Sequence, residues 1–218
     1  MAQAELALIV GAGSGLSGSL ARACAAAGMR VALAARNIEK LQGFSGMKLV
    51  RCDATQPADI ETLFASLDMP DLVVYNASYR TRGPFTSLDP QEVHKTLMVS
   101  AYGGFLVAQA AAKRMLERGG GSLFFTGASA SVKGYAESAP FAMGKFALRG
   151  LAQSLARELG PKGIHVAHFV IDGGISRSGE NDSRLHPDAI AQTYLDVHRQ
   201  QRSAWAFEVD LRPWVEKF

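Results

Sequence analysis

The chain has 218 residues, 48% of them hydrophobic, with 23 basic and 20 acidic side chains and a formal charge of +3. That is enough apolar material for one sizeable core, and no Pro/Ser-rich linker or charge run divides it, so a single domain over 1–218 is expected. The basic residues are scattered, so neither nucleic acid nor membrane is called for as a partner; the absence of a spanning apolar run and of a basic leader in MAQAEL points to the cytoplasm.

Leu6–Val10 is an unbroken apolar run, the pattern of a strand buried on both faces. It stops at Gly11, Gly13 and Gly15, and an Ala/Leu helical pattern follows over 16–27. Gly28 ends that helix, and Arg30–Ala35 is a second apolar strand. Asn37 caps a short helix to residue 44, 48–52 is a third strand, and Pro57 opens a helix to about residue 67. Residues 71–76 form a fourth strand. After a polar loop over 77–90 comes a long helix, 91–118, ended by Gly119, Gly120 and Gly121. Then follow a strand at 122–126, a helix at Ala139–Leu159 stopped by Gly160-Pro161, and a strand at Ile164–Ile171. Strand and helix alternate throughout, which reads as α/β, a doubly wound parallel sheet with right-handed crossovers. Beyond residue 175 a polar loop containing Gly179, Asn181 and Asp182 leads to a helix over 188–200 and a seventh strand over 205–211.

The turn after the first strand is of a size to take a phosphate. Glycine there permits backbone angles closed to other residues and lets a pyrophosphate approach the free amides of the following helix. Two registers fit, Gly13-x-Gly15-x-x-Gly18 and Gly11-x-x-x-Gly15; the second begins where the apolar run stops. A glycine loop without a ligand is the plain alternative. In doubly wound sheets ligands sit at the C-terminal ends of strands, which directs attention to the residues just past each one. After the second strand comes Arg36, where a cation suits a 2'-phosphate, so NADP(H) is expected over NAD(H), which stays possible; otherwise Arg36 merely faces water. Asp53 follows the third strand and either accepts from an adenine amino group or caps a turn. Asn76-Ala77-Ser78 follows the fourth, with small side chains that let a cofactor lie against the backbone.

Cys24 and Cys52 are too few for a disulfide framework and read as buried small apolar residues. His94, His165, His168, His186 and His198 lack metal-ligand spacing, and no metal site is expected.

Gly11-x-x-x-Gly15, Asp53, Asn76-Ala77-Ser78 and Phe141-x-x-x-Lys145, with the order of elements, resemble the short-chain dehydrogenases/reductases as far as about Ile175. The resemblance implies a Rossmann-like sheet of about seven strands, a nicotinamide cofactor, and hydride transfer between carbonyl and alcohol on a small-molecule substrate. Its cofactor contacts carry over to Gly11, Gly13, Ser14, Gly15, Leu16, Arg36, Asp53, Asn76, Ala77, Ser78, Lys145 and Ile175. It also implies a homodimer or homotetramer paired through helices 91–118 and 139–159, whose small residues Ala108, Ala111 and Ala112 suit close contact, although core packing explains them equally well. The polar segment from 176, with the helix to 200, resembles the family's substrate-covering loop; a plain surface excursion is the alternative.

The chemistry departs from the family. Its proton donor is a Tyr four residues before the Lys, and here position 141 is Phe, a ring with no proton to give. The family's substrate-orienting Ser falls on Ala128, with Ser129 and Ser131 close by; its helix Asn falls on Ser100, its third turn glycine on Ser17, and its Pro-Gly in Ile171-Asp172-Gly173-Gly174. Three readings stand. In one, Lys145 holds the nicotinamide ribose and Ser129, Ser131, Tyr102, Tyr135 or a Lys145-bound water gives the proton, unless the substrate needs no acid. In another, the protein binds NADP(H) without turnover, as a sensor or assembly partner. In the third, the fold serves interaction alone.

Overall fold

A computed structural model describes residues 4–178 and 180–217; residues 1–3, Gly179 and Phe218 lie outside the described residues. The apolar runs become β1 (Leu6–Val10), β2 (Arg30–Ala35), β3 (Lys48–Arg51), β4 (Leu72–Tyr75), β5 (Gly121–Thr126), β6 (Ile164–Ile171) and β7 (Glu208–Leu211). They pair in parallel as one seven-stranded sheet in the order β3-β2-β1-β4-β5-β6-β7. The helices are α1 (Leu16–Ala26), α2 (Pro57–Ala65), α3 (Pro90–Leu97), α4 (Gly103–Arg118), α5 (Ala139–Leu159) and α6 (Pro187–His198).

The sheet is buried on both faces, which is why its strands read as continuous apolar runs rather than alternating ones. Leu6, Leu8 and Val10 of β1 point into a core shared with α2, α4 and α5, while Ala7 and Ile9 point into a second core under α1 and α6. β1 has β2 on one side and β4 on the other, so the chain's direction across the sheet reverses there. A crevice opens at such a reversal, beyond the carboxyl ends of the strands.

Three expectations are corrected. The helix expected over 91–118 is interrupted by a π-helical turn at Met98–Tyr102. The cause lies in another element: Tyr75, fully buried at the end of β4, donates its hydroxyl proton to the Val99 carbonyl. A widened turn frees a carbonyl for such an outside partner. Gly103 and Gly104 follow because side chains there would collide with Tyr75, and at Gly104 with Leu148 at 2.6 Å. The helix expected from Asn37 to residue 44 shrinks to a 3-10 turn, Glu39–Leu41, in which Leu41 alone is buried, too little apolar surface to hold a longer helix. The seventh strand begins only at Glu208, because Trp205 is drawn out of line: its ring stacks on His165 at 4.7 Å and its Nε1 donates to the Gln200 carbonyl at 3.1 Å. Cys24 and Cys52 are both buried, as expected.

Tyr75→Phe leaves the Val99 carbonyl buried and unpartnered, a loss of about 1–3 kcal/mol. Urea unfolding checks it, with a lowered midpoint and an unchanged slope as the expected result.

Candidate cofactor and substrate site

The turn after β1 is built around one close approach. Gly11 has φ +84°, and a side chain there would run into the main chain of Ala77 at the end of β4. Only glycine allows the two strand ends to meet. Ser17, buried on the first turn of α1, ties the junction: its hydroxyl donates to the Gly11 carbonyl at 3.1 Å and accepts from Asn76 Nδ2 at 2.7 Å. Gly13 and Gly15 differ from Gly11, since neither has positive φ and a Cβ on either would meet no protein atom within 4 Å. The protein's own packing does not demand glycine at these two positions, and the space beside them suits a group that must come close to the main chain. Gly15 caps α1 without a side-chain hydrogen bond, and the first turn holds no acidic residue, so its free amides present partial positive charge. These features fit a pyrophosphate.

Above the turn lies a cavity of about 450 Å³, bounded by Gly11, Gly13, Ser14, Arg36, Asp53 and Asn76-Ala77-Ser78, with Lys40 and Thr55. Arg36 and Lys40 are exposed and neither makes an ion pair among the described residues. Asp53 is oriented by its own loop: Oδ1 accepts from the Thr55 amide at 3.0 Å and hydroxyl at 2.8 Å, and the Asp53 amide donates to Asp59 at 2.7 Å.

A second cavity, of about 440 Å³, shares Asn76 and Ser78 with the first and is bounded by Leu16, Ser129, Tyr135, Phe141, Lys145 and Ile175, with Arg80 and Arg82. Lys145 on α5 is 3% exposed, and its Nζ donates to the Thr126 carbonyl at 2.7 Å. Burial pulls its pKa down to about 8, because the apolar surroundings penalise the charged form. Phe141 lies one helical turn earlier, with Nζ of Lys145 5.8 Å from its ring centroid and the Arg80 guanidinium 4.8 Å from it.

The expected residues divide between these cavities and the interior. Ser129 lines the second cavity, but Ser131, two residues on in the same 3-10 turn, is fully buried and its hydroxyl accepts from the Ala128 amide at 3.1 Å. Tyr102 sits on the π turn, stacked on Phe105 and outside both cavities. Tyr135 does line the second. Ser100 is buried against Gly144, donating to the Tyr79 carbonyl at 3.3 Å. Another phenol, Tyr194, lies under β5 with its hydroxyl 2.9 Å from Thr126 Oγ1 and reaches neither cavity. Asp172 is buried between Lys133 at 3.5 Å and Arg212 at 3.4 Å. No group of three or more metal-ligating side chains occurs among the described residues. Within them no helix is long and apolar enough to cross a membrane.

Sequence reasoning missed Lys40, Arg80 and Arg82. The available signal was position: the arginines belong to the loop leaving β4, a few residues beyond the segment singled out there. The polar loop after β6 is tied down at both ends. Ile175 bridges Leu185, and Arg177 holds Asp188 at 2.7 and 2.9 Å and Ser19 at 2.6 Å. Exposed Trp214 donates to the Asn181 carbonyl at 2.9 Å, so the chain's end rests on this loop.

The family model of the short chain dehydrogenase matches residues 5–182. D-threitol dehydrogenase of Mycolicibacterium smegmatis is 28% identical over 174 residues, 74% of this chain and 67% of that protein. A short-chain dehydrogenase structure from Rhodopseudomonas palustris superposes with a TM-score of 0.86 at 31% identity, over 98% of this chain and 100% of its own. A metagenomic short-chain oxidoreductase, solved in complex with NADP, gives 0.84 at 25% identity over 97% and 98%.

Proposed function

Since the chain belongs to the short-chain dehydrogenase family of oxidoreductases, we propose that it is an NADP(H)-dependent oxidoreductase acting on a small carbonyl or related substrate, a divergent member with non-standard proton donation. The observation that carries this reading is the pair of cavities meeting at Asn76 and Ser78, one with unpaired cations at its far end and the other with a buried lysine. The crystallisation of a similar oxidoreductase with NADP supports it.

The amides of Gly13, Ser14, Gly15 and Leu16 would hold the pyrophosphate, Arg36 and Lys40 the 2'-phosphate, and Asp53 the adenine amino group. Asn76-Ala77-Ser78, Lys145 and Ile175 would hold the nicotinamide half. When bound, the cofactor supplies the hydride that adds to the carbonyl carbon. The matching proton comes from Lys145: Nζ gives one proton to the carbonyl oxygen, directly or through one water, and becomes a neutral amine. A donor near pKa 8 is matched to this task at neutral pH. Ser129 lines the same cavity and would orient that oxygen.

Phe141 favours a second reading, an NADP(H)-binding sensor or assembly partner without turnover. Two further features belong to the proposal. Residues 176–200 cover the substrate, supported by the place of Ile175 in the second cavity and the ties of the loop to α1 and α6. The chain forms a homodimer or homotetramer through α4 and α5, supported by exposed Phe105, Leu116, Met143 and Phe146 on those helices. NADPH is expected to slow hydrogen exchange in the covering segment, and sedimentation to give two or four chains per particle; unchanged exchange and a monomer would oppose these features.

Turnover separates enzyme from sensor. In NADPH-dependent reduction of a carbonyl panel, kcat is expected to fall as pH rises through about 8, where Lys145 loses its proton. Lys145→Met should lower kcat about 10²- to 10⁴-fold, the contribution of a positioned acid. Absence of turnover supports the sensor, and a flat profile from pH 6 to 10 removes Lys145 as donor.

A further inference from the structure

The second cavity carries a charge pattern that hydride transfer to a neutral carbonyl does not require. Arg80, Arg82 and Lys145 all line it, and among the described residues no aspartate or glutamate does. Neither arginine makes an ion pair among the described residues, whereas Arg30, Arg51, Arg118, Arg149 and Arg177 each do. Across the loop contact Glu137 accepts from the Gly83 amide through its main-chain carbonyl at 3.1 Å, and the Glu92 carboxylate is engaged by Tyr79 and Lys95.

Arg80 is also positioned. Its guanidinium lies 4.8 Å from the Phe141 ring centroid, and that ring's negative face holds a cation over it. Lys145 Nζ is 5.8 Å from the same centroid, so both cations lie against one ring. Neither arginine borders the first cavity, where Arg36 and Lys40 lie, so the two sets of cations address different ends of the crevice. A planar guanidinium presents parallel N–H donors matched to the two oxygens of a carboxylate.

We propose that Arg80 and Arg82 form a carboxylate-recognition site, and that the substrate is a small oxo acid whose carboxylate meets these arginines while its carbonyl faces Lys145. This deepens the reading above and rests on it for the reaction, although the anion site itself does not. Phe141 then has a physical task. Its ring is the platform that aims Arg80 into the cavity, a task that needs the ring and not a hydroxyl. Burial first, and then the charge of Arg82, hold the pKa of Arg80 down; an anion between the two arginines relieves their mutual repulsion.

The test pairs 2- and 3-oxo acids of three to eight carbons with their methyl esters, titrated calorimetrically into the protein at pH 7 with and without NADPH. Reduction is followed in the same mixtures. At least one acid is expected to bind about tenfold or more tightly than its ester, a difference of about 1.4 kcal/mol. Arg80→Gln with Arg82→Gln should erase that preference, and Phe141→Leu should weaken it; NADPH titration of each variant verifies that the crevice is folded. Equal binding of acids and esters, no binding of any acid, or a preference that survives in the double variant would overturn the proposal. An acid preference in a protein that binds no NADPH would leave the anion site standing and remove the oxidoreductase reading instead.

Discussion

The close approach of Gly11 to the main chain of Ala77 is the constraint on which the rest of the site depends. Parallel strands bring all their C-terminal ends to one edge, but a crevice forms only where the chain departs in opposite directions from two neighbours, and here those neighbours are β1 and β4. The absence of a Cβ at Gly11 lets these two ends come together, and Ser17 locks them with one hydrogen bond to each side. From that junction the turn carries its amides to one side and Asn76-Ala77-Ser78 to the other. The two cavities are the two halves of one groove bent over this point.

Electrostatics then distinguishes the halves. At one end Arg36 and Lys40 stand in water, where a cation is strongly hydrated and is available to a multiply charged phosphate. At the other, Lys145 is taken out of water with the Thr126 carbonyl as its hydrogen-bond acceptor. Desolvation weakens its hold on the proton, the property an acid needs near neutral pH. The same helix that buries Lys145 presents Phe141 one turn earlier, so the burial of the lysine and the ring beneath Arg80 are both set by how α5 packs on the end of β5.

Much of this was legible in the residues. β1, β2, α5 and β6 have the expected bounds, because unbroken apolar runs and glycine or proline stops are local signals. The glycine turn and the positions past each strand directed attention to the residues that now line the groove. What stayed hidden was set by distant partners. A helical apolar period cannot announce a π turn when its cause is a phenol on β4. Ser129 and Ser131 look interchangeable in sequence, yet a single 3-10 turn sends one to the cavity and the other to the interior. Arg80 reads as a loop cation until Phe141, far along the chain, is seen beneath it. Trp205 looked like the start of a strand, and the stacked His165 ring decides otherwise.

We propose that a dinucleotide lies across the β1–β4 reversal with its 2'-phosphate at Arg36 and Lys40. Titration of NADPH and of NADH against tryptophan fluorescence, in the wild type and in Arg36→Ser with Lys40→Ser, tests this most directly. NADPH is expected to bind the wild type about tenfold or more tightly than NADH, and the double variant to lose that advantage while its NADH affinity is unchanged. Equal affinities in the wild type, or an NADPH preference untouched by the two substitutions, would contradict the account.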